Sequence, residues 1–404
     1  MTPRSEQESH TIASLRIWFA VVLFLASLLA VMPAQTYDLW KASIAGAELG
    51  HFVAILGIIT LLIPFWWRTI PGQLAGGITV VAVCLALSPT VRAYYASRGL
   101  QARLDSAFGS VMPRTLGAST VMTSPISLRN LLSLPRRPNV DLKTFAYAMR
   151  DDKPLELDLY RARVDSAART SSPLPPAPLI ITIHGGSWTG GSNKDLPQLN
   201  YYLASRGYAV AALSYRLAPD NPFPAATEDV NAAIDYLKAN SPALGIDSTR
   251  IVLIGRSAGG QLALQSAYTK NDRNIRGVAA LYAPSDQIWG WEHPTDTRVY
   301  DSFAALRNFL SGEPSQIREA YVAASPINYI GSHTIPTLLI HGSMDPLVSV
   351  RQSERLDSAL SLMKRPHLLV EMPWATHGCD YVSFGPCGQT TTFAIERFVA
   401  AVTK

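Results

Sequence analysis

Arg250-Ile251-Val252-Leu253-Ile254-Gly255-Arg256-Ser257-Ala258-Gly259-Gly260-Gln261-Leu262-Ala263 is the stretch that decides the fold. A short run of branched apolar residues, the composition of a buried parallel strand, passes straight into Gly-x-Ser-x-Gly and then into a helical pattern. A serine on such a strand-to-helix turn is held in a strained elbow, and its neighbours must be small because the chain turns too sharply to admit side chains. The turn lifts Ser257 above the edge of a sheet and puts the N–H of Ala258 at a helix start, where negative charge is stabilised. Ser257 is therefore the candidate nucleophile, and Ala258 a candidate oxyanion donor.

Upstream, the apolar run Leu179 to Ile183 leads into His184-Gly185-Gly186-Ser187-Trp188. The loop at this place in a serine hydrolase supplies further backbone N–H donors, and glycines let the main chain approach a substrate. Downstream, Thr337 to Ile340 leads into His341-Gly342-Ser343-Met344-Asp345-Pro346, and His367 to Glu371 leads into Met372-Pro373-Trp374-Ala375-Thr376-His377-Gly378. An Asp-Pro pair alone is a turn signal, and a loop His alone is usually a solvated side chain. Taken in the order Ser, Asp, His, each after a strand, Asp345 and His377 are the acid and base that Ser257 requires.

Around these motifs the chain alternates. Strand-like runs at Leu155–Tyr160, Ala209–Leu213 and Val278–Tyr282 join those already quoted, and helical patterns fall at Ala225–Ala239, Ala258–Tyr268, Val350–Met363 and Thr391–Val402. This predicts an α/β catalytic domain over 141–404, a mostly parallel twisted sheet with helices on both faces. The alternation stops between Ser285 and Ile330. That segment holds Trp289, Trp291, Tyr300, Phe303 and Phe309, costly to leave in water, and is expected to form a cap insertion or pocket wall.

From about Asp141 onward the sequence resembles the hormone-sensitive-lipase-like and feruloyl-esterase-like branch of α/β-hydrolases, the former also known as bacterial family IV esterases. The run Ser214-Tyr215-Arg216-Leu217-Ala218-Pro219-Asp220-Asn221-Pro222-Phe223-Pro224-Ala225-Ala226, with Glu228 and Asp229 after it, is especially similar to that family's segment. The resemblance implies Ser257, Asp345 and His377 as triad, and Gly186, Ser187 and Ala258 as oxyanion-hole donors. It implies a serine carboxylesterase or lipase-like hydrolase working through an acyl-enzyme on short- to medium-chain or membrane-proximal esters, without metal or cofactor. Two departures stand out: Ser187 where the family often has a third glycine, and Arg256 where it has an acid. An amide or formamide hydrolase and a membrane acyltransferase are alternatives on the same triad. A noncatalytic binding module ranks low, because every triad position is filled.

The amino-terminal part differs in kind. Of 404 residues, 48% are hydrophobic and 16% charged, and the imbalance sits in the first hundred positions. Ile17–Met32, His51–Trp67 and Leu74–Leu87 are apolar runs, the third the weakest because it is short and carries Gly76 and Gly77. A cleaved signal peptide is not followed by two more apolar runs, so 1–96 is expected to be a membrane region with about three transmembrane helices. Pro64-Phe65-Trp66-Trp67-Arg68 has the aromatic and basic character of a bilayer interface. Residues 97–140 are read as a linker or amphipathic segment. Leu100, Leu104, Phe108 and Met112 share one helical face that fits the membrane surface, the active-site mouth or the catalytic domain. Ser171 to Pro178 reads as a Pro-rich linker.

The net charge of +5 comes from dispersed Arg residues with no basic run or recognisable binding module, which argues against nucleic acid. The expected partners are a small-molecule or lipid-like ester and the lipid bilayer, with a multi-pass location. Counting Lys and Arg beside the spans leaves the orientation open. Cys379 and Cys387 lie close together beside His377, as a disulfide or as two free thiols. Family members tend to have an aromatic where Cys379 stands, which favours a bridge and leans the catalytic domain to the extracytoplasmic side.

Overall fold

The computed structural model describes residues 3–63, 69–115, 121–133, 138–163 and 175–404, with side chains from residue 14 onward. The described strands are β1 (Val140–Arg150), β2 (Lys153–Ala162), β3 (Ala177–Ile183), β4 (Ala209–Leu213), β5 (Ile246–Arg256), β6 (Ile275–Leu281), β7 (Thr337–Gly342) and β8 (His367–Met372). They form one sheet in the order β1-β2-β4-β3-β5-β6-β7-β8. From β4 to β8 neighbours run parallel, while β2 is antiparallel to both β1 and β4.

The parallel centre follows from composition. Every residue of β3 and β4 is buried, as apolar strands covered on both faces must be. Side chains alternate between two layers: Leu179, Ile181, Leu253 and Leu339 enter one, Ile180, Val252, Ile254 and Leu338 the other. The strand β1 was not expected from the sequence. A register shift between Ala146 and Ala148 interrupts its period-two pattern, which conceals it from a reading based on alternation.

The amino-terminal helices are α1 (Pro3–Leu28), α2 (Tyr37–Leu61) and α3 (Ile70–Ala96). By length and composition α2 and α3 can cross a bilayer; the described apolar part of α1, Ser14–Leu28, is shorter. Two expectations need correcting. The second span does not begin at His51, because a helix already starts at Tyr37, where the Thr36 hydroxyl accepts the N–H of Leu39 and caps it. The third run is an unbroken 27-residue helix passing through Pro89. The interface motif 64–68 lies outside the described residues, as do 171–174 of the linker. Helix contacts use small side chains: Ala20 and Ala75 are fully buried, and a Cβ at Gly50 would fall on the carbonyl of Ala86. Trp18, Val22, Phe52, Ile55, Ile59, Leu74 and Val81 point outward, an apolar girdle suited to lipid.

Beyond them come α4 (Leu100–Phe108), α5 (Leu128–Leu131), α6 (Gln198–Ser205), α7 (Ala225–Ala239), α8 (Ser241–Leu244) and α9 (Ala258–Thr269). Three helices, α10 (Gln287–Glu292), α11 (Ser302–Leu310) and α12 (Pro314–Ala323), lie between β6 and β7, and α13 (Arg351–Leu362) and α14 (Pro386–Val402) complete the chain. One sheet face carries α7, α9 and α13, the other α6 and α14. Among the three readings of the amphipathic face, catalytic-domain packing prevails. Leu100 and Leu104 are buried against the second layer and Phe108 stands edge-on to Phe398 of α14, while Met112 is exposed.

Candidate active site

At the end of β5 the chain reverses through Ser257, whose φ of 52° and ψ of −121° lie where L-residues are strained. The elbow leaves no room for side chains: a Cβ on Gly255 would meet the carbonyl of Gly259, and one on Gly259 the carbonyls of Ile183 and His184. The N–H of Ser257 is tied to the carbonyl of Leu281, 2.9 Å away on the neighbouring strand.

Ser257, Asp345 and His377 are brought together. His377 Nε2 is 3.0 Å from Ser257 Oγ, and its Nδ1 is 2.6 Å from Asp345 Oδ2. An ionised carboxylate only accepts, so Nδ1 carries the proton and Nε2 is left as acceptor for the serine hydroxyl. The side chain of Asp345 is fully buried and also accepts the N–H groups of Leu347 (2.8 Å) and Val348 (2.9 Å) through Oδ1. Burial alone would raise its pKa. The charge of His377 and hydrogen bonds from His341 and His377 overcome this and hold it at about 2. His341, fully buried, stands 3.2 Å from Asp345 Oδ2. An arrangement of this kind can draw the proton from Ser257 onto an imidazole whose positive form is already matched by a carboxylate.

Gly186, Ser187 and Ala258 line the same pocket as Ser257. Among the described residues none accepts a hydrogen bond from their N–H groups, which are left free for an oxyanion. Gly186 and Ser187 have φ of 113° and 55°, and Ser187 Oγ accepts the hydroxyl of Tyr300 at 2.7 Å. The segment after β4 braces this loop. The N–H of Ala218 bonds the carbonyl of Trp188 at 2.9 Å, and Arg216 grips buried Asp229 at 2.8 Å. Burial lowers the pKa of His184, which stacks on Tyr215 with ring centroids 4.2 Å apart.

The pocket has a volume of about 370 Å³, and its lining includes Trp40, Trp188, Tyr282, Trp289 and Tyr300 beside the glycines that follow β3. The insertion after β6 contributes Trp289, Tyr300 and Leu306 to its walls, as expected of a cap. Phe309 of the same insertion stacks on Trp188 at 4.1 Å.

Tyr37, Trp40, Tyr282 and Asp380 of the site went unread in the sequence, which had singled out Arg256 and the two cysteines without their surroundings. Arg256 pairs through Nε with Asp380 Oδ2 at 2.6 Å, and Asp380 Oδ1 accepts the hydroxyl of Tyr282 at 2.6 Å. A basic residue in the elbow where family members carry an acid, with an acid three positions after His377, was the available signal. Cys379 and Cys387 are joined as a disulfide, which closes the loop after His377. Tyr37 and Trp40 of α2 also line the pocket; only their place at the start of an apolar helix marked them.

The BD-FAE family model matches residues 167–360. LipM of Mycobacterium tuberculosis is 29% identical over 238 residues, covering 56% of this chain and 54% of LipM. The esterase LipQ of the same organism is 30% identical over 312 residues, covering 70% of this chain and 69% of LipQ. The chain thus spans about half the length of the first of these relatives. A hyperthermophilic esterase from the archaeon Pyrobaculum calidifontis shares the fold with a TM-score of 0.55 at 21% identity, over 77% of this chain and 92% of the other. The motif order, the sheet and these matches together show that the chain belongs to the α/β-hydrolase esterases.

Proposed function

We propose that the protein is a membrane-anchored serine carboxylesterase acting through an acyl-enzyme. The continuous hydrogen-bonded series Ser257, His377, Asp345 carries this reading. His377 takes the proton of Ser257 as its oxygen attacks the ester carbonyl, forming the new C–O bond. The oxyanion is received by the N–H groups of Gly186, Ser187 and Ala258. Protonated His377 gives its proton to the leaving alcohol, and water, activated by the same imidazole, then releases the acid. Asp345 keeps the imidazole in the required tautomer and balances its transient charge.

The substrate reading is a small or lipid-like ester with a short- to medium-length acyl group, in keeping with an apolar pocket of this size. Membrane attachment rests on α2 and α3, with α1 as a further anchor. The disulfide supports an extracytoplasmic catalytic domain. Fluorophosphonate labelling of isolated membranes tests the nucleophile: the wild type labels and hydrolyses p-nitrophenyl esters, and Ser257→Ala does neither. Labelling that persists in Ser257→Ala would refute the assignment.

A further inference from the structure

One helix holds both ends of the loop that carries the general base. Near the start of α2, buried Trp40 packs with Val299 and Leu347, and its indole Nε1–H donates to the main-chain carbonyl of His377 at 3.1 Å. The centroid of the indole lies 6.2 Å from that of the imidazole, and the Tyr282 ring lies 4.5 Å from it. Two turns further along α2, fully buried Glu48 accepts the N–H of Cys387 through Oε2 at 2.8 Å, at the first turn of α14. Between these attachments lie the Cys379–Cys387 disulfide and the Arg256–Asp380 ion pair. The N–H of Tyr37 also bonds the carbonyl of Arg298 at 3.2 Å, joining the helix start to the cap insertion. From Phe52 onward the same helix turns apolar side chains outward.

We propose that α2 is a splint for the catalytic loop, with Trp40 as the positioning residue for His377. The residue after His377 is Gly378 at φ 70°, a junction that a side chain does not restrain. A hydrogen bond to the carbonyl of His377 therefore fixes the peptide plane between them, and with it the direction in which the imidazole leaves the backbone. Displacements of about 1 Å in a catalytic group cost on the order of a hundredfold in rate, so one such bond can govern turnover. This rests on the esterase reading and adds to it that the membrane anchor is part of the catalytic apparatus.

The test uses the full-length protein in lipid nanodiscs, with active sites counted by a fluorophosphonate. Trp40→Phe keeps an aromatic ring and removes the N–H. The expected result is a loss in kcat per titrated site of about tenfold or more, with KM for a short p-nitrophenyl ester changed by less than about threefold. Glu48→Met, which frees the other end of the loop, should lower kcat per site in the same way and decides the matter if Trp40→Phe yields no titratable protein. Wild-type turnover per titrated site in the variant that decides would overturn the proposal and leave the esterase reading intact. A wild type that fails to label at Ser257 would instead remove the reading on which it rests.

Discussion

Arg256, the residue before the proposed nucleophile Ser257, holds Asp380, the third residue after the proposed base His377, in a buried ion pair of 2.6 Å. The elbow and the loop after His377 follow separate strands, and this pair ties one to the other at the pocket, which Arg256 lines. Burial opposes the charge on Arg256, but Asp380 outweighs it and the guanidinium pKa is raised. Removing one partner leaves an uncompensated buried charge. Arg256→Met should therefore lose roughly 3–5 kcal/mol in thermal or denaturant unfolding. Arg256→Met combined with Asp380→Leu should recover much of that loss; a double variant no more stable than the single one would show that the pair is not the cause.

Asp345→Asn separates orientation from charge. An amide at 345 can present its NH₂ to Nδ1 of His377, which places the ring proton on Nε2 and leaves nothing to accept the proton of Ser257. The expected fall in kcat is on the order of 10⁴-fold, with a residual rate from the oxyanion donors. Hydrolysis of p-nitrophenyl acetate by purified protein is sensitive enough to measure it, and activity within tenfold of wild type would contradict the arrangement.

Acid should weaken the fold through the same carboxylate. Asp345 has its pKa lowered to about 2 in the folded protein, so its ionised form favours folding. That contribution, on the order of 2 kcal/mol, is complete above the unfolded value near 4 and disappears as pH falls toward about 2. Thermal unfolding of wild type and Asp345→Asn compared at pH 6 and pH 3 checks this. Wild type should lose more stability over that interval than the variant does.

Reduction should loosen the base loop. Closing the short loop between Cys379 and Cys387 is worth about 2–3 kcal/mol on the chain-entropy argument. Alkylation without reductant, read by mass spectrometry on protein from intact cells, should leave both thiols unmodified. Dithiothreitol should lower the unfolding temperature and slow ester hydrolysis together. Alkylation of both cysteines before reduction would place the catalytic domain in a reducing compartment and remove the bridge from the native state.

The elements that hold the proposed triad were legible because each is local. The strand before Ser257, the glycines around it and the helix after it act within a few residues, and the same holds for the turns at Asp345 and His377. The helix over Ala225–Ala239 matches its expected bounds because its apolar period is regular. By contrast β1 was lost to a register shift, and the true start of α2 was lost because Asp38, Lys41 and Glu48 lower the apolar signal before His51. Glu48 and His51 are buried against the rest of the protein: Glu48 meets Cys387, and His51 Nε2 lies 2.8 Å from the carbonyl of Leu131 in α5.

By itself, then, the sequence determined the α/β alternation of the carboxy-terminal part, the elbow and the three candidate side chains Ser257, Asp345 and His377, since these follow from short-range sterics and hydrophobic period. Only the tertiary structure decided which surfaces meet: Trp40 with His377 across 337 positions, Glu48 with Cys387 across 339, and Arg256 with Asp380 across 124. Such pairings leave no periodic trace, because they arise when whole elements dock and each buried polar group must find a partner on whatever face arrives.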